Sequence, residues 1–305
     1  MLRYVLRRLG QSLITVLLVT LVIFVIVRII GDPAHLMLPP EATESDRNLL
    51  RIEMGLDRPL IVQYATYLMG LLSGDFGTSY RYERPALELI LEALGPTLLL
   101  TSSAISVAIL IGIPLGVAAA MHRDGWIDKF AKVFAILGQS APPFFFGLIF
   151  IRFFSVQFGW LPSGGYGSIA HLILPTLALG WYSAAGIMRL TNSCMIEVLG
   201  LEYIKMARIK GLKKFKVTWK HALKNAILPV ITFTALQFGI LMGGAVSTEF
   251  VFAWPGLGRL LVSSISNLDY VIVQAAVTLA AFVFTTINLG VDILYAYIDP
   301  RIKYG

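Results

Sequence analysis

Ser140 is the first candidate for chemistry, because residues 138–142 read Gly-Gln-Ser-Ala-Pro. This stretch comes within one residue of the Gly-x-Ser-x-Gly turn that exposes the nucleophile of many hydrolases. A serine nucleophile also needs a base, usually a histidine, within hydrogen-bond reach. All four histidines fall outside the apolar run that contains Ser140: they are His35, His122, His171 and His221. An intramembrane serine protease is therefore only an alternative. We favour Gln139 and Ser140 as polar residues that line a pathway or bond neighbouring helices.

Nucleotide and metal chemistry have no sequence signature in this chain. A Walker A loop requires Gly-Lys followed by Ser or Thr, and no Gly-Lys dipeptide occurs. The metalloprotease pattern His-Glu-x-x-His is also absent, and the single cysteine, Cys194, cannot form an internal disulfide. We therefore expect this chain to bind no cofactor, so that any ATP and Mg²⁺ would be bound by a partner.

The composition shows what kind of scaffold carries these residues. Of the 305 residues, 57% are hydrophobic and only 14% are charged, whereas soluble domains carry about 25% charged residues. The mean hydropathy is +0.76. The chain is therefore expected to reside in the lipid bilayer, and a large soluble catalytic domain is excluded.

Six runs of spanning length are free or nearly free of charge, and stretches such as 13–27 are apolar on every face. Such runs predict helices rather than the alternating strands of a barrel. The runs are 9–27, 97–121, 133–151, 172–188, 226–248 and 271–291. The predicted fold class is all-α, a polytopic membrane protein with six transmembrane helices. We divide it into an uncleaved N-terminal anchor helix (1–31), a segment 32–95, and a five-helix core (96–305).

Lys and Arg are distributed unevenly between the connections. Nine of them lie between Arg189 and Lys224, and further groups precede the first run, separate the second from the third, and follow the last. Because cytoplasmic loops carry the excess of positive charge, both termini are predicted to be cytoplasmic. The net charge of +7 is then a topology signal, and we expect no nucleic-acid partner.

Segment 32–95 is too long for a simple connection. It carries ten acidic residues and five arginines, and three stretches within it have helical patterns: 45–55, 59–72 and 85–94. We predict a small helical cap outside the membrane, and a docking surface for an external protein.

The spans themselves argue against ion coupling. Proton or sodium coupling usually needs an ionisable residue inside a span, because burying such a group in lipid is expensive. The central thirds of the six runs contain no Asp, Glu, Lys, Arg or His, and Asp292 follows the last run. An ion-coupled secondary transporter is thus the second alternative, and uphill transport would take its energy from another subunit.

The basic connection 190–226 contains a helical pattern over 205–210, a turn at Gly211, and a second helical pattern over 215–225. A short exposed helix with a glycine turn is suited to binding a soluble partner protein. A solvated basic loop, or one lying on anionic lipid, has the same composition.

This loop resembles the EAA loop of ATP-binding-cassette importer permeases, whose pattern is Glu-Ala-Ala, three residues, Gly, nine residues, and Ile-x-Leu-Pro. Ala207 takes the place of the second alanine and Gly211 that of the glycine, while Lys205 and Met206 replace the glutamate and the first alanine. Residues 221–224, His-Ala-Leu-Lys, replace Ile-x-Leu-Pro.

These departures are similar to the dipeptide, oligopeptide and nickel branch of that family. Its loop commonly reads Ala-Arg-x-Lys-Gly-Leu, then His-Ala-Leu-x-Asn-Ala, then Leu-Pro, as do residues 207–212, 221–226 and 228–229 here. Stretches of the same type follow in order along nearly the whole chain; they include 6–9, 31–33, 55–60, 74–77, 112–116, 172–175, 249–252, 254–258 and 299–301.

The resemblance implies a permease subunit of an ATP-driven importer in a prokaryotic cytoplasmic (inner) membrane, forming half of the pathway by alternating access. Its implied partners are a second homologous permease in a heterodimer, two cytoplasmic ATPases and an extracytoplasmic substrate-binding protein. Di- or oligopeptides are the implied substrates; glutathione-like peptides and nickel complexes stay open.

Three sets of site residues follow. The ATPase coupling loop comprises Lys205, Ala207, Arg208, Lys210, Gly211, Leu212, Phe215, Lys216 and His221. Candidate pathway-lining residues are Gln139, Ser140, Gln237 and Asn288. Candidate outer docking or gate residues are Glu249, Trp254, Pro255 and Gly256.

Overall fold

The computed structural model describes residues 2–30, 43–53 and 55–298. Within these ranges the chain is helical, and the only β-type pairing is a single bridge between Thr78 and Pro85. The helices are α1 (Leu2–Ile30), α2 (Glu44–Glu53), α3 (Leu60–Ser73), α4 (Ala86–Met121), α5 (Trp126–Ser140), α6 (Pro143–Phe150), α7 (Ile169–Leu199), α8 (Glu202–Ile209), α9 (Lys214–Lys216), α10 (Leu223–Gly244), α11 (Val246–Val251), α12 (Leu257–Ser266) and α13 (Tyr270–Ile298). Two π-helical segments, Ile151–Gln157 and Val217–Ala222, join α6 to the following loop and α9 to α10.

Five helical segments of the described residues are long and apolar enough to cross a membrane: Val5–Ile29, Ala86–Met121, Ile169–Leu199, Lys214–Gly243 and Tyr270–Val291. A sixth candidate consists of α5 and the segment Pro143–Gln157, which meet at an angle of 101°. The prediction of an all-α, polytopic membrane protein is confirmed.

The predicted third span, 133–151, is therefore broken rather than straight. Ala141 and Pro142 are extended, with ψ angles of 156° and 150°. A residue that precedes proline is pushed out of the helical region, and each proline lacks the backbone N–H that would continue the helix. Pro142 and Pro143 thus end α5 and begin α6 in a new direction.

The cap helices differ from expectation at one point. Stretches 45–55 and 59–72 correspond to α2 and α3, but 85–94 is the first part of α4, a continuous helix of 36 residues. The chain stays helical through Gly95 and Pro96. Membrane helices tolerate such a proline where neighbouring groups satisfy the freed carbonyl.

The described residues divide into two compact units, which we describe separately. The first comprises Met1–Pro96 and Gly256–Leu289. Its core packs the start of α4 against α12 and α13, and consists of Ala86, Leu89, Ile90, Ala93, Leu257, Ile272, Ala275 and Ala276. The hydroxyl of Ser79 donates a hydrogen bond to the carboxylate of Asp269 at 2.5 Å. The division into 1–31, 32–95 and 96–305 stays a prediction.

The second unit comprises Thr97–Pro255 and Gly290–Gly305. In it α4 and α7 approach closely at Gly116, where a Cβ atom would lie 2.7 Å from the carbonyl oxygen of Met188 and 2.7 Å from Cβ of Thr191. Small residues at such crossings let two backbones pack directly, which supplies van der Waals contact in the absence of a hydrophobic driving force.

We expect Gly116→Ala to destabilise the protein by about 1–3 kcal/mol, because the added methyl group would overpack this crossing. Gly10→Ala in α1 is the control, since nothing lies within 4 Å of its added Cβ and no proline follows it. The alanine there removes a flexible glycine from a helix and should stabilise by about 0.5–1 kcal/mol. Thermal unfolding of the purified variants measures both effects; shifts of the same sign and size would contradict the assigned crossing.

Candidate functional site

The basic loop begins where α7 ends at Leu199, and its first helix, α8, is anchored by one face. Leu201 is extended, with φ −72° and ψ 149°, and turns the chain before Glu202. Ile204 is fully buried and Ala207, three residues later, is half-buried. Both pack on a cluster of side chains from the ends of α4 and α7 and from the following π-helix: Val117, Ala120, Met195, Val198 and Val217. Residues three apart share a helix face, so this face of α8 packs against the buried cluster.

Gly211 ends α8 in the left-handed conformation, with φ +78°. Its N–H donates to the carbonyl of Arg208 at 2.9 Å, and the N–H of Leu212 donates to the carbonyl of Ala207 at 3.3 Å. These two bonds form the Schellman motif, in which a glycine satisfies the last carbonyls of a helix. Leu212 then packs against the same cluster as Ala207. The glycine therefore fixes both where α8 ends and how the chain leaves it.

The second half of the loop leads directly into a membrane helix. The short α9 is followed without a break by the π-helix Val217–Ala222 and by α10. Val217 and Ala222 are buried in the cluster that holds Ile204. Packed side chains therefore connect α8 to α7 on one side and to α10 on the other.

The outer face of this loop exposes apolar side chains. Tyr203, Met206 and Ile209 follow one another at intervals of three along α8, and all are exposed, Ile209 by 78%. Phe215 is 74% exposed, and its ring centroid lies 6.1 Å from that of Trp219. Apolar surface of this kind, rimmed by polar residues, marks interaction sites. We call these five side chains the loop's apolar face.

The predicted coupling residues occupy distinct places in the loop. Ala207 and Leu212 face the core, Gly211 makes the turn, and five residues are exposed: Lys205, Arg208, Lys210, Phe215 and Lys216. Lys205 donates to the carboxylate of Glu202 at 3.0 Å. His221 is half-buried, and among the described residues its Nε2 has no hydrogen-bond partner.

Sequence reasoning missed Ile204, Met206 and Ile209. The signal was present, because the apolar residues of 202–209 fall into two sets with a spacing of three, one on each side of the helix. Only the position of the buried cluster shows which set faces inward.

The pathway candidates lie on three helices, two in the second unit and one in the first. Gln139 and Ser140 lie at the break between α5 and α6, and the Ser140 hydroxyl donates to the carbonyl of Ile136 at 2.5 Å. The amide nitrogen of Gln139 lies 3.4 Å from the position that a Cβ on Gly186 would take. Gln237 is buried on α10. Asn288 belongs to the other unit, and its Oδ1 is buried without a partner among the described residues.

The outer docking or gate candidates are mostly buried. Glu249 has no exposed surface, and its carboxylate accepts a hydrogen bond of 2.6 Å from the hydroxyl of Thr97. Trp254 is 1% exposed and meets the ring of Tyr166 edge to face at 4.9 Å between centroids. Pro255 is half-buried, and Gly256, at the start of the first unit's second segment, is buried. Such burial suits residues that fix a segment in place rather than a contact surface.

A cavity of about 380 Å³ with both polar and apolar lining lies in the first unit, beside α1 and α3. Gln63 connects two of its walls by hydrogen bonds. Its amide oxygen accepts a hydrogen bond from Nε of Arg28 at 3.0 Å, and its amide nitrogen donates one to the carbonyl of Arg58 at 2.7 Å. Burial raises the pKa of Tyr80, which lines this cavity, to about 12; the charge of Asp269 adds to the rise and that of Arg28 opposes it. The phenol therefore stays neutral, and a hydrogen-bond donor, at neutral pH.

Comparison with known proteins provides independent evidence of the family. Residues 112–304 match the family model described as binding-protein-dependent transport system inner membrane component, and residues 1–101 match the N-terminal model of the same kind of membrane component. The glutathione transport system permease protein GsiC of Salmonella typhimurium (strain LT2) is 45% identical over 305 residues, all of both chains. The protein of the same name from Escherichia coli (strain K12) is 42% identical over 305 residues, again all of both chains.

Solved structures show the same fold. An inward-facing structure of the MetNI methionine ABC transporter superposes with a TM-score of 0.59 at 19% identity, over 69% of this chain and 96% of that chain. An amino acid ABC transporter crystallised with histidines gives a TM-score of 0.51 at 17% identity, over 67% of this chain and 92% of that chain.

Proposed function

Because the chain belongs to the binding-protein-dependent transport system inner membrane components, and so is a multi-pass inner-membrane permease subunit of an ABC importer, we propose that α8 and the turn at Gly211 are its coupling element. In this proposal the loop's apolar face seats in a groove of a partner ATPase, as an amphipathic helix does in a hydrophobic groove. The observation that carries the proposal is the two-sided character of α8. Ile204 is fully buried on one side, and Ile209 is 78% exposed on the other.

The mechanism follows from the continuity of the chain on both sides of the loop. Closure of two ATPases on ATP would move α8 as a rigid piece, and the packed cluster around Ile204 would transmit the movement to α7 and α10. Alternating outward and inward access would result. Packed cores with two discrete arrangements amplify small local displacements in this way.

The family implies ATPase and substrate-binding partners. We infer two cytoplasmic ATPases that bind the ATP and Mg²⁺, a second homologous permease in a heterodimer, and an external binding protein that docks on the cap. The loop then faces the cytoplasm, as the positive charges predict. The chain itself would be non-catalytic. The comparisons favour neither an ion-coupled transporter nor an intramembrane protease, and the Ser140 hydroxyl is bonded to a main-chain carbonyl.

We infer di- or oligopeptides as the substrate class, with a glutathione-like tripeptide as the first to test, because the relatives at 42–45% identity are named glutathione permeases. Gln139, Ser140, Gln237 and Asn288 would offer amides and a hydroxyl to varied peptides along the pathway. Glu249, Trp254, Pro255 and Gly256 would hold the outer gate segment in place, a role that the burial of Glu249, Trp254 and Gly256 supports.

Reconstitution tests this function. In proteoliposomes containing this chain, its partner permease and both ATPases, with the binding protein added outside, we expect ATP-dependent uptake of labelled glutathione. A protonophore should leave the rate unchanged while ATP is maintained. Uptake that collapses with the protonophore at constant ATP would overturn the ATP-driven mechanism.

A further inference from the structure

A second cavity, of about 580 Å³, opens where the ends of α4 and α7 meet the basic loop. All of its lining belongs to the second unit. Its lining includes three cationic residues, Arg123, Arg208 and Lys214, and apolar residues such as Met121, Leu199 and Leu212. It therefore adjoins the proposed coupling element without coinciding with the loop's apolar face.

The lining carries positive charge with no compensating carboxylate. It includes Arg123, Arg208 and Lys214 but no Asp or Glu. Among the residues that the structure describes, Arg123 makes one ion pair, with its chain neighbour Asp124 at 3.9 Å, and both side chains are largely exposed. The carbonyl of Lys214 accepts a hydrogen bond from the hydroxyl of Thr218 at 3.0 Å, but across the described residues the charged groups of Arg208 and Lys214 make no ion pair or hydrogen bond. Three cations thus converge on a space that an anion could occupy.

Apart from Thr218 and Gly200, the rest of the lining is apolar. Met121 closes the end of α4, Ile196 and Leu199 lie on the last turn of α7, and Leu212 follows the glycine turn. A free inorganic anion would use only the cationic rim. An amphiphile would use both parts, because its charged group would meet the cations while its chains cover the apolar wall.

We infer that this cavity binds the phosphate headgroup of an anionic phospholipid from the leaflet on the loop's side of the membrane. Both α4 and α7 are long and apolar enough to cross a membrane and both end at this cavity, so we place it near the headgroups of that leaflet. Basic pockets between transmembrane helices on the cytoplasmic side bind such headgroups. Arginine also suits phosphate, because its planar guanidinium can donate two parallel hydrogen bonds.

Such a lipid would brace the coupling element. Arg123 follows α4, Arg208 lies on α8, and Lys214 begins α9, so one phosphate group would tie all three to the same point. The effect on transport rests on the proposed coupling function, whereas binding of the lipid does not. Two measurements therefore separate the two hypotheses.

The binding test uses the purified full chain in detergent and native mass spectrometry with added phosphatidylglycerol or phosphatidylcholine. Wild type should retain phosphatidylglycerol in preference, and millimolar inorganic phosphate should not displace it. The Arg123→Gln/Lys214→Gln double variant should bind it about 25-fold more weakly, since each basic residue near an anionic lipid surface contributes roughly a factor of five.

The matched control is Lys129→Gln/Lys220→Gln, which removes the same charge from two exposed residues outside the cavity. It should retain wild-type binding. Equal loss in both variants, equal retention of phosphatidylcholine by wild type, or displacement by inorganic phosphate would overturn the lipid site. The wild-type comparison needs no variant to fold.

Co-purification of the ATPases with the same proteins gives the second measurement. If the wild-type protein shows no preference for phosphatidylglycerol but still binds the ATPases, the lipid site is overturned and the coupling function stands. If it prefers phosphatidylglycerol but binds no ATPase, the coupling function is overturned and the lipid site stands. With both intact, we expect transport in phosphatidylcholine vesicles to rise severalfold when phosphatidylglycerol is included, and an unchanged rate would contradict the bracing role.

Discussion

Gly211→Val is expected to reduce ATP-driven uptake by about tenfold or more, while the amount of protein in the membrane stays unchanged. At φ +78° a β-branched residue is strained by about 1–3 kcal/mol, and about 1.4 kcal/mol corresponds to a tenfold shift in an equilibrium. Nothing lies within 4 Å of the added Cβ, so the effect must arise from the backbone. The altered turn would change where α8 ends and the direction in which the chain continues to α9 at Lys214.

Two matched variants identify the cause of that loss. Gly211→Asn should retain most of the activity, because asparagine tolerates the left-handed conformation far better than valine. Gly159→Val imposes the same kind of strain at φ +66°, also in open space, but outside the loop, and should leave ATP hydrolysis coupled to uptake. Uptake and ATP hydrolysis are measured together in proteoliposomes. Unaltered transport by Gly211→Val would refute the coupling role of the turn.

Ile204→Ala is expected to uncouple the transporter by loosening α8 from the core. The side chain is fully buried among residues of α4, α7 and the π-helix, and removing such a side chain typically costs about 2–5 kcal/mol. ATPase binding should persist, because the loop's apolar face is unchanged. ATP hydrolysis would then continue with little transport.

Ile209→Ala, on the opposite side of the same helix, should leave the packing of α8 intact and weaken ATPase binding. With 78% of its surface exposed, Ile209 contributes little to folding, so thermal stability should change by less than about 0.5 kcal/mol. ATPase association should weaken, since a central apolar contact of the interface is lost. Thermal unfolding and co-purification distinguish the variants, and identical profiles would mean that the two faces of α8 are not functionally distinct.

The fold was largely predictable because charge is so scarce. Runs without charged residues locate membrane helices directly, and Pro142-Pro143 was visible as an interruption. The 101° bend at that point depends on how α5 and α6 pack on α7, which no local pattern encodes. The continuity of α4 through Gly95-Pro96 was missed for the same reason, since tertiary context overrides a local helix breaker.

The coupling loop was partly predictable. Gly211 was placed at a turn, because a glycine that follows a short helical pattern is typical of a helix end. The division of α8 into a face towards Val117 and Met195 and a face towards solvent could not be predicted, because it depends on residues about 10 to 90 positions away. The burial of Glu249 and Trp254 was likewise invisible in a motif that reads as a loop.

The most direct test of the coupling assignment is photo-crosslinking from α8 in the assembled transporter. Ile209 is replaced by p-benzoylphenylalanine, and Tyr166, which is also exposed but lies in the loop before α7, carries the same group in a control. We predict a crosslink to the ATPase from position 209, changed in yield by ATP, and none from position 166. An assembled complex that hydrolyses ATP but gives no ATPase crosslink from position 209 would contradict the assignment of α8 as the coupling element.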